Sequence, residues 1–357
     1  MQGRQSERLL KEVQMQYNYA IFIGRFQPFH NAHRQIVDEA LKIADKLIIV
    51  IGSHNAPQSL RNPFDTMIRR SLIIRSLSYE QAKRVDFVFI QDSAYNFEAW
   101  LLDIKKKISD KIGPLANRKI VLVGNYKDDT SYYLNHFPEW DFQPVHTKSN
   151  LSSTDIRAIM YENNESTIKP KLKSYVASDV ISYLQSTFYK SQDYKSLREE
   201  YEYVQKYKAQ WKTPFPPTFI TTDAVVFCMG YVLVVDRKMN PGKGCIALPG
   251  GFLGNECIFD SCLRELREET KLDISYKQLK GSLKEVKVFD HPLRDPRGRI
   301  VTHGHFFRIE DAKLPVVEGG DDAAKAYWFP LHELEARESQ FFSDHAQIIK
   351  YFINRGN

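Results

Sequence analysis

The feature that most constrains how this chain folds is the stretch Thr213-Pro214-Phe215-Pro216-Pro217. Prolines packed this closely can neither continue a helix nor fill a central strand, because each fixes its own φ and lacks an N–H donor. The sequence of 357 residues is also longer than a single core usually supports, so the prolines mark a seam between two folding units. Approaching them, from Ser186 to Lys212, the chain turns polar and charged. We expect an N-terminal extension over 1–16, a first domain over 17–185, a linker over 186–215 and a second domain over 216–357.

Composition supports two cores, with 43% hydrophobic and 26% charged residues. The most apolar run, Leu47 to Ile51, falls far short of the roughly 18 residues a bilayer span requires. The N-terminus is mostly polar and lacks the apolar segment of a secretory leader, so a cytoplasmic protein without a membrane partner is expected. A net charge of +6 suits phosphate-holding pockets as well as nucleic acid, but Lys and Arg are spread along the chain, which favours small anions. The four cysteines all fall in the last third without C-x-x-C spacing, as reduced structural thiols would.

In the first unit, the β-branched and aromatic runs Tyr19–Ile23, Leu47–Ile51, Val85–Ile90 and Ile120–Val123 alternate with helically spaced Arg34–Ala44, Asp65–Leu77 and Phe97–Ile108. Alternation of this kind predicts βαβ units around a parallel sheet, with ligands at the carboxyl ends of the strands. The first run leads into Gly24-Arg25-Phe26-Gln27-Pro28-Phe29-His30-Asn31-Ala32-His33 at the start of a helix. Glycine there permits close backbone approach, the helix start offers N–H groups to anions, and two histidines three apart can face the same phosphates. An ordinary pair of helix-capping surface histidines is the competing reading. Far downstream, Leu151-Ser152-Ser153-Thr154-Asp155-Ile156-Arg157 reads either as a plain N-cap or as a second phosphate-holding helix start with an arginine fork.

These segments resemble the H-x-G-H and serine/threonine-rich motifs of the nucleotidyltransferase superfamily, and their flanks are similar to NMN adenylyltransferases; Ala32 stands where that family has glycine. The resemblance implies a Rossmann-like α/β domain that joins ATP and NMN into NAD and pyrophosphate. It implies catalytic roles for His30, His33 and Arg157, and ATP or NMN contacts from Gly24, Arg25, Phe26, Arg61, Asn96, Trp100, Gly124, Ser152, Ser153 and Thr154. Tyr126–Asp129 and Ser131–Tyr133 would line the same ligands. For Trp100, stacking on the pyridinium competes with plain core packing. Another nucleotidyltransferase of the superfamily is the alternative for this half.

In the second unit, Phe219–Phe227 and Tyr231–Val235 read as paired strands and Ile258–Thr270 as a charged helix, giving a mixed α+β fold. On that helix Glu265, Glu268 and Glu269 share a face. Crowded carboxylates suit a hard divalent cation, Mg²⁺ or Mn²⁺, although a solvated helix laced with salt bridges, Arg264 to Glu268 among them, is the commoner fate of such runs. The spacing of Gly250, Glu256, Arg264, Glu265, Glu268 and Glu269 resembles the Nudix box G-x5-E-x7-R-E-U-x-E-E-x-G-U, with Lys271 in place of its last glycine. Lysine at that helix end must take up a left-handed conformation at a cost of about 1 kcal/mol.

By resemblance, Glu265, Glu268, Glu269 and Gly250 would form the metal site, with Glu265 either a ligand or the base for water. The segment Asp290 to Arg299 looks like a loop of ADP-ribose-binding Nudix proteins, implying substrate contacts from Arg294, Arg297 and Arg299; a basic surface hairpin is the competing reading. The proline often found beyond the box in that subfamily is absent, and Lys287 stands there. Together the halves resemble the bifunctional NMN adenylyltransferase/Nudix hydrolase family, which implies that the second half cleaves ADP-ribose to AMP and ribose 5-phosphate. A non-catalytic ADP-ribose or NAD sensor is the alternative. The partners expected are nucleotides (ATP, NMN, NAD and ADP-ribose), and a homo-oligomer stays open.

Overall fold

The computed structural model describes residues 15–125, 134, 136–147, 152–320 and 323–354. Most of the expected N-terminal extension, the stretch from Tyr126 to Tyr133, and Leu151 therefore lie outside the described residues.

The first unit is an open sheet of β1 (Tyr17–Gly24), β2 (Ala44–Ile51), β3 (Val85–Phe89), β4 (Ile120–Gly124) and β5 (Asp141–Pro144), paired in parallel in the order β3-β2-β1-β4-β5. Helices α1 (Asn31–Ile43), α2 (Thr66–Arg75), α3 (Tyr79–Ala82) and α4 (Phe97–Ile112) occupy the connections. Both faces of β1 and β2 are buried, because alternate residues serve different cores: Ala20, Phe22, Leu47 and Ile49 on one side, Ile21, Ile23, Ile48 and Val50 on the other. That double burial is why these strands read as continuous apolar runs. The order reverses beside β1, so its carboxyl end, where Gly24 to His33 begins, opens on the crevice of the fold.

Four helices follow: α5 (Ser153–Glu162), α6 (Ile168–Leu172), α7 (Ser178–Ser186) and α8 (Gln192–Ala209). They bury Ile156, Met160, Leu172, Val180, Leu184 and Leu197 in a helical core of their own. The stretch expected as a linker is thus mostly helix. Tyr194, Leu197 and Tyr201 of α8 pack into that core, a pattern hidden by the charged residues between them.

Beyond the prolines, β6 (Thr218–Cys228), β7 (Tyr231–Arg237), β8 (Ile246–Ala247), β9 (Gly250–Phe252), β10 (Leu283–Phe289), β11 (Arg299–Ile309) and β12 (Ala323–Pro330) form a mixed sheet in which β6 and β11 are parallel and the other pairings antiparallel. Helices α9 (Ile258–Thr270) and α10 (Tyr276–Ser282) accompany one core and α11 (His345–Ile353) the other. The β6–β7 hairpin turns through Met229 and Gly230, both at positive φ. Tyr95 of the first unit is wedged against the second: its ring meets Phe289 edge-on at 4.9 Å and its hydroxyl donates to Asp344. No helix among the described residues is long and apolar enough to cross a membrane.

Candidate functional site

At the end of β1 the chain folds back tightly. A Cβ on Gly24 would come within 2.8 Å of the Phe26 ring, and Phe26 is buried at φ +56°. Gly24 therefore makes room for an aromatic ring of the same loop, and the Phe26 side chain is core, which leaves the backbone of this turn as the part that can approach a ligand. The start of α1 stacks His30 on His33 with ring centroids 3.7 Å apart. The His30 amide donates to Nδ1 of His33 at 3.4 Å, which puts the His33 ring proton on Nε2. His30 itself is buried.

The two motifs meet in space. Arg157 on α5 donates to the Gln27 carbonyl at 2.8 Å and to Thr154 at 3.2 Å, and the Ser153 hydroxyl donates to the Pro28 carbonyl at 3.4 Å. Ser152 is the N-cap of α5 and closes a capping box with Asp155. Arg157, Arg25 and Arg61 converge here and, among the described residues, none of the three is ion-paired. Burial, then Arg25, pushes Arg61 down to about 9 and Arg157 to about 10; Arg25 is lowered by burial. Asp92, which faces Arg25 and Arg61, is itself held by the Ser53 hydroxyl at 2.6 Å. Three guanidiniums that repel one another, Arg157 buried and Arg25 and Arg61 half-buried, suit a ligand with several negative charges. Arg69, by contrast, is consumed structurally, donating to the carbonyls of Arg25, Gly52 and Ser53 at 2.7 to 2.9 Å.

Other expected contacts have structural employment. Asn96 is the N-cap of α4, its side chain accepting from the Ala99 amide at 3.0 Å. Trp100 lies on the outer core, stacked on Phe97 at 5.7 Å. Gly124 is buried at the end of β4, with Leu134 3.3 Å from where its Cβ would stand.

In the second unit, β9 runs hard against β6 and α9. A Cβ on Gly250 would lie 2.1 Å from the Thr222 carbonyl oxygen, so glycine is required there, and one on Gly251 would lie 2.4 Å from a Glu265 carboxylate oxygen and would displace that carboxylate. The Gly250 amide donates to Glu269 at 2.9 Å. Burial pushes the Glu269 carboxyl up to about 8, with Glu265 and Asp223 adding like charge, and burial also raises Glu265. Arg264 contacts Glu256, Glu265 and Glu268, each at 2.8 Å, so the salt-bridged reading of this helix holds for its outer side. Among the described residues, no group of three or more His, Cys, Asp or Glu side chains is gathered in metal-binding geometry. The expected carboxylate triad is drawn apart, Glu268 outward to Arg264 and Glu269 inward to Gly250. Its chemistry still fits a hard divalent cation: oxygen donors only, one of them a buried carboxyl that burial and its neighbours hold against ionisation. Lys271 ends α9 at φ +46°, in the left-handed conformation expected of it.

A cavity of about 360 Å³ opens beside Gly250, Gly251 and Glu269. Of the three arginines expected there, Arg297 and Arg294 line it, and Arg299 is not among its lining residues. Arg294 is buried in a two-pronged pair with Asp344 at 2.9 and 3.0 Å, so it organises the floor. Arg297 is gripped by Asp295 and lies 4.9 Å from the centre of the Phe252 ring. Arg299 instead turns to Asp290. Sequence reasoning missed Arg237, half-buried at the end of β7 over the Phe342 ring at 4.3 Å, and Tyr203 and Tyr207 of α8. Arg237 carries no motif; the tyrosines stand four apart on what was taken for a linker.

Residues 21–159 match the cytidylyltransferase-like family and residues 217–352 the NUDIX domain family. The nicotinamide/nicotinic acid mononucleotide adenylyltransferase of Acinetobacter baylyi is 35% identical over 52% of this chain and 94% of its own length. The ADP-ribose pyrophosphatase of Methanocaldococcus jannaschii is 34% identical over 39% of this chain and 75% of its own. A crystal structure of a bifunctional NMN adenylyltransferase/ADP ribose pyrophosphatase from Francisella tularensis, complexed with AMP and a manganese ion, covers 96% of this chain and 100% of its own at 34% identity, with a TM-score of 0.88. The chain belongs to the bifunctional NMN adenylyltransferase/ADP-ribose pyrophosphatase family. The cytidylyltransferase-like match contains the cationic cluster of Arg25, Arg61 and Arg157, and the NUDIX match contains the carboxylate helix and the lining of the cavity apart from Tyr203 and Tyr207.

Proposed function

We propose that the chain makes NAD from ATP and NMN at its first site and hydrolyses ADP-ribose to AMP and ribose 5-phosphate at its second. The observation that carries this reading is the likeness of both halves, in one continuous arrangement, to a single bifunctional protein. In the first reaction an NMN phosphate oxygen attacks the α-phosphorus of ATP, and the bond from that phosphorus to the β-phosphate bridge breaks. Pyrophosphate leaves with the bond electrons. Such a step requires in-line placement and charge stabilisation more than a base. His33, with its proton on Nε2, and His30 would donate to the phosphoryl oxygens, while Arg157, Arg25 and Arg61 hold the leaving pyrophosphate. Ser152, Ser153 and Thr154 fix the helix start that aims Arg157.

In the second reaction water adds across the P–O–P bridge, its oxygen to phosphorus and its protons to the products. Glu265, Glu268 and Glu269 would hold the cation, with Gly250 setting Glu269 in place. Magnesium or manganese bound there would supply Lewis-acid charge neutralisation of the diphosphate. Arg297 and Arg237 would face the substrate's charge. Soluble nucleotides are the partners this reading needs, and the cytoplasm is its setting.

The test is to incubate the protein and magnesium with ATP plus NMN, and separately with ADP-ribose, and resolve products by chromatography. NAD from the first and AMP with ribose 5-phosphate from the second are expected. Absence of NAD would remove the first assignment, and absence of AMP the second.

A further inference from the structure

The Nudix cavity is not built by the Nudix half alone. Tyr203 and Tyr207 line it, and both come from α8, which is rooted in the first unit's helical core through Leu197 and Tyr201. The helix is pinned at its far end as well. Trp211 packs against Gly298, where a Cβ would come within 2.9 Å of the indole, and against Phe219 at 6.1 Å. Midway, the buried carboxylate of Glu200 accepts from the Gly242 amide at 3.1 Å and from the Leu60 backbone, joining the cavity's 240s loop to the loop that carries Arg61. A helix held at three points presents its side chains in fixed positions.

Tyr203 and Tyr207 are half-buried, four residues apart on one face, with rings 6.4 Å apart and 26° from parallel. Tyr207 meets Phe219 edge-on at 6.1 Å, and Phe219 meets Phe252 at 5.8 Å, so an aromatic surface runs from α8 to the residue just after Gly250-Gly251. The floor is different, made of Asp223, Glu269, Arg294 and Asp295. A diphosphate with its cation belongs on the charged floor. The rest of the lining sets the rings of Tyr203, Tyr207 and Phe252 beside Arg237, Lys238, Met239 and Asn240; of the two ends of ADP-ribose only the adenine has a π-face to lay on such rings, while the terminal ribose offers hydroxyls.

We infer that Tyr203 and Tyr207 form the nucleobase platform of the diphosphatase site, so that a helix of the first unit selects the substrate of the second. The inference rests on the ADP-ribose reading above. Stacking of a base on an aromatic ring corresponds to about a 5- to 150-fold change in binding. The phenol oxygens are dispensable in this account and the rings are not.

The experiment is product inhibition of ADP-ribose hydrolysis in magnesium, which reads the Nudix site even though adenylates also visit the first site. For Tyr207→Ala and Tyr203→Ala, we expect the KM for ADP-ribose and the inhibition constant of AMP to rise about tenfold, with kcat nearly kept. The inhibition constant of ribose 5-phosphate should stay as in the wild type. Tyr→Phe at either position should restore AMP inhibition. NAD synthesis is the folding control; should an alanine variant fail it, Tyr207→Leu, which keeps bulk without the ring, must show the same weakening of AMP. A rise for ribose 5-phosphate instead of AMP, or no rise for either, overturns the platform. A wild type that hydrolyses no ADP-ribose overturns the functional reading, and the platform with it.

Discussion

The two candidate sites of this chain carry opposite charge. The first gathers buried Arg157 and half-buried Arg25 and Arg61 in a cluster in which none is ion-paired among the described residues, so the protein stores repulsion that an anion relieves. The second gathers carboxylates and keeps them apart with Arg264 outside and a proton-retaining Glu269 inside, so it stores the complementary need for a cation. A diphosphate can be held directly by guanidiniums or through a metal on carboxylates. This chain carries both arrangements, one for each half of the proposed pair of reactions.

The largest effects should separate the two regions completely. His33→Ala should lower NAD synthesis about 100- to 1,000-fold by removing a donor to the transferring phosphoryl group, while ADP-ribose hydrolysis is untouched. Glu269→Gln should do the converse; both rates measured on each variant decide it, and a variant that lowers both would break the division.

Next comes the stored repulsion. Arg61→Met should raise the KM for ATP about tenfold or more, yet it should raise, not lower, the melting temperature of the unliganded protein, because a buried like charge has gone. Calorimetry without nucleotide checks the sign, and a lower melting temperature would mean that the cluster is not frustrated.

The second site has the mirror-image signature in pH. Burial raises the Glu269 carboxyl from its ordinary 4.5 to about 8 in the folded, metal-free protein. Between those values the folded state holds a proton that the unfolded state has lost, so stability must fall as pH rises from about 5 and level off above about 8. Glu269→Gln should lack that component. Denaturant titrations in a chelator across this range measure the difference, and added magnesium should abolish it by favouring the ionised carboxylate.

The smallest effect belongs to Lys271. Replacing it with glycine relieves the left-handed strain at the end of α9 and should stabilise the protein by about 1 kcal/mol, with both activities kept. The exposed Lys271–Glu318 pair lost in the exchange gives little back.

Much of this was legible in the residues. Strands buried on both faces announce themselves as β-branched runs, and the helix Ile258–Thr270 was bounded correctly because its charge pattern has a fixed period. What escaped had physical reasons. The four residues of β5 carry only Phe142 as a large apolar side chain. Helix α8 reads as solvated because glutamates and lysines fill the positions between Tyr194, Leu197, Tyr201 and Val204, although that spacing is an amphipathic one. At Gly24 the sequence does not reveal that the space beside a glycine is filled by the ring of Phe26, two residues on. Arg294 and Arg299 are expected on substrate by the resemblance of their loop; Arg294 lines the cavity with its guanidinium paired to Asp344, a partner distant in the chain, and Arg299 turns to Asp290.

Helix α8 carries a consequence for the history of such a gene. The prolines between Thr213 and Pro217 look like the natural place for recombination to part the two activities, since no helix or strand spans them. A break there would leave the downstream product with every carboxylate of its box but with one wall of its pocket on the other polypeptide. Fission would have to carry the helix along or replace its tyrosines from elsewhere. Because the first half's last helix is the second half's wall, a gene parted at the prolines would part the pocket as well.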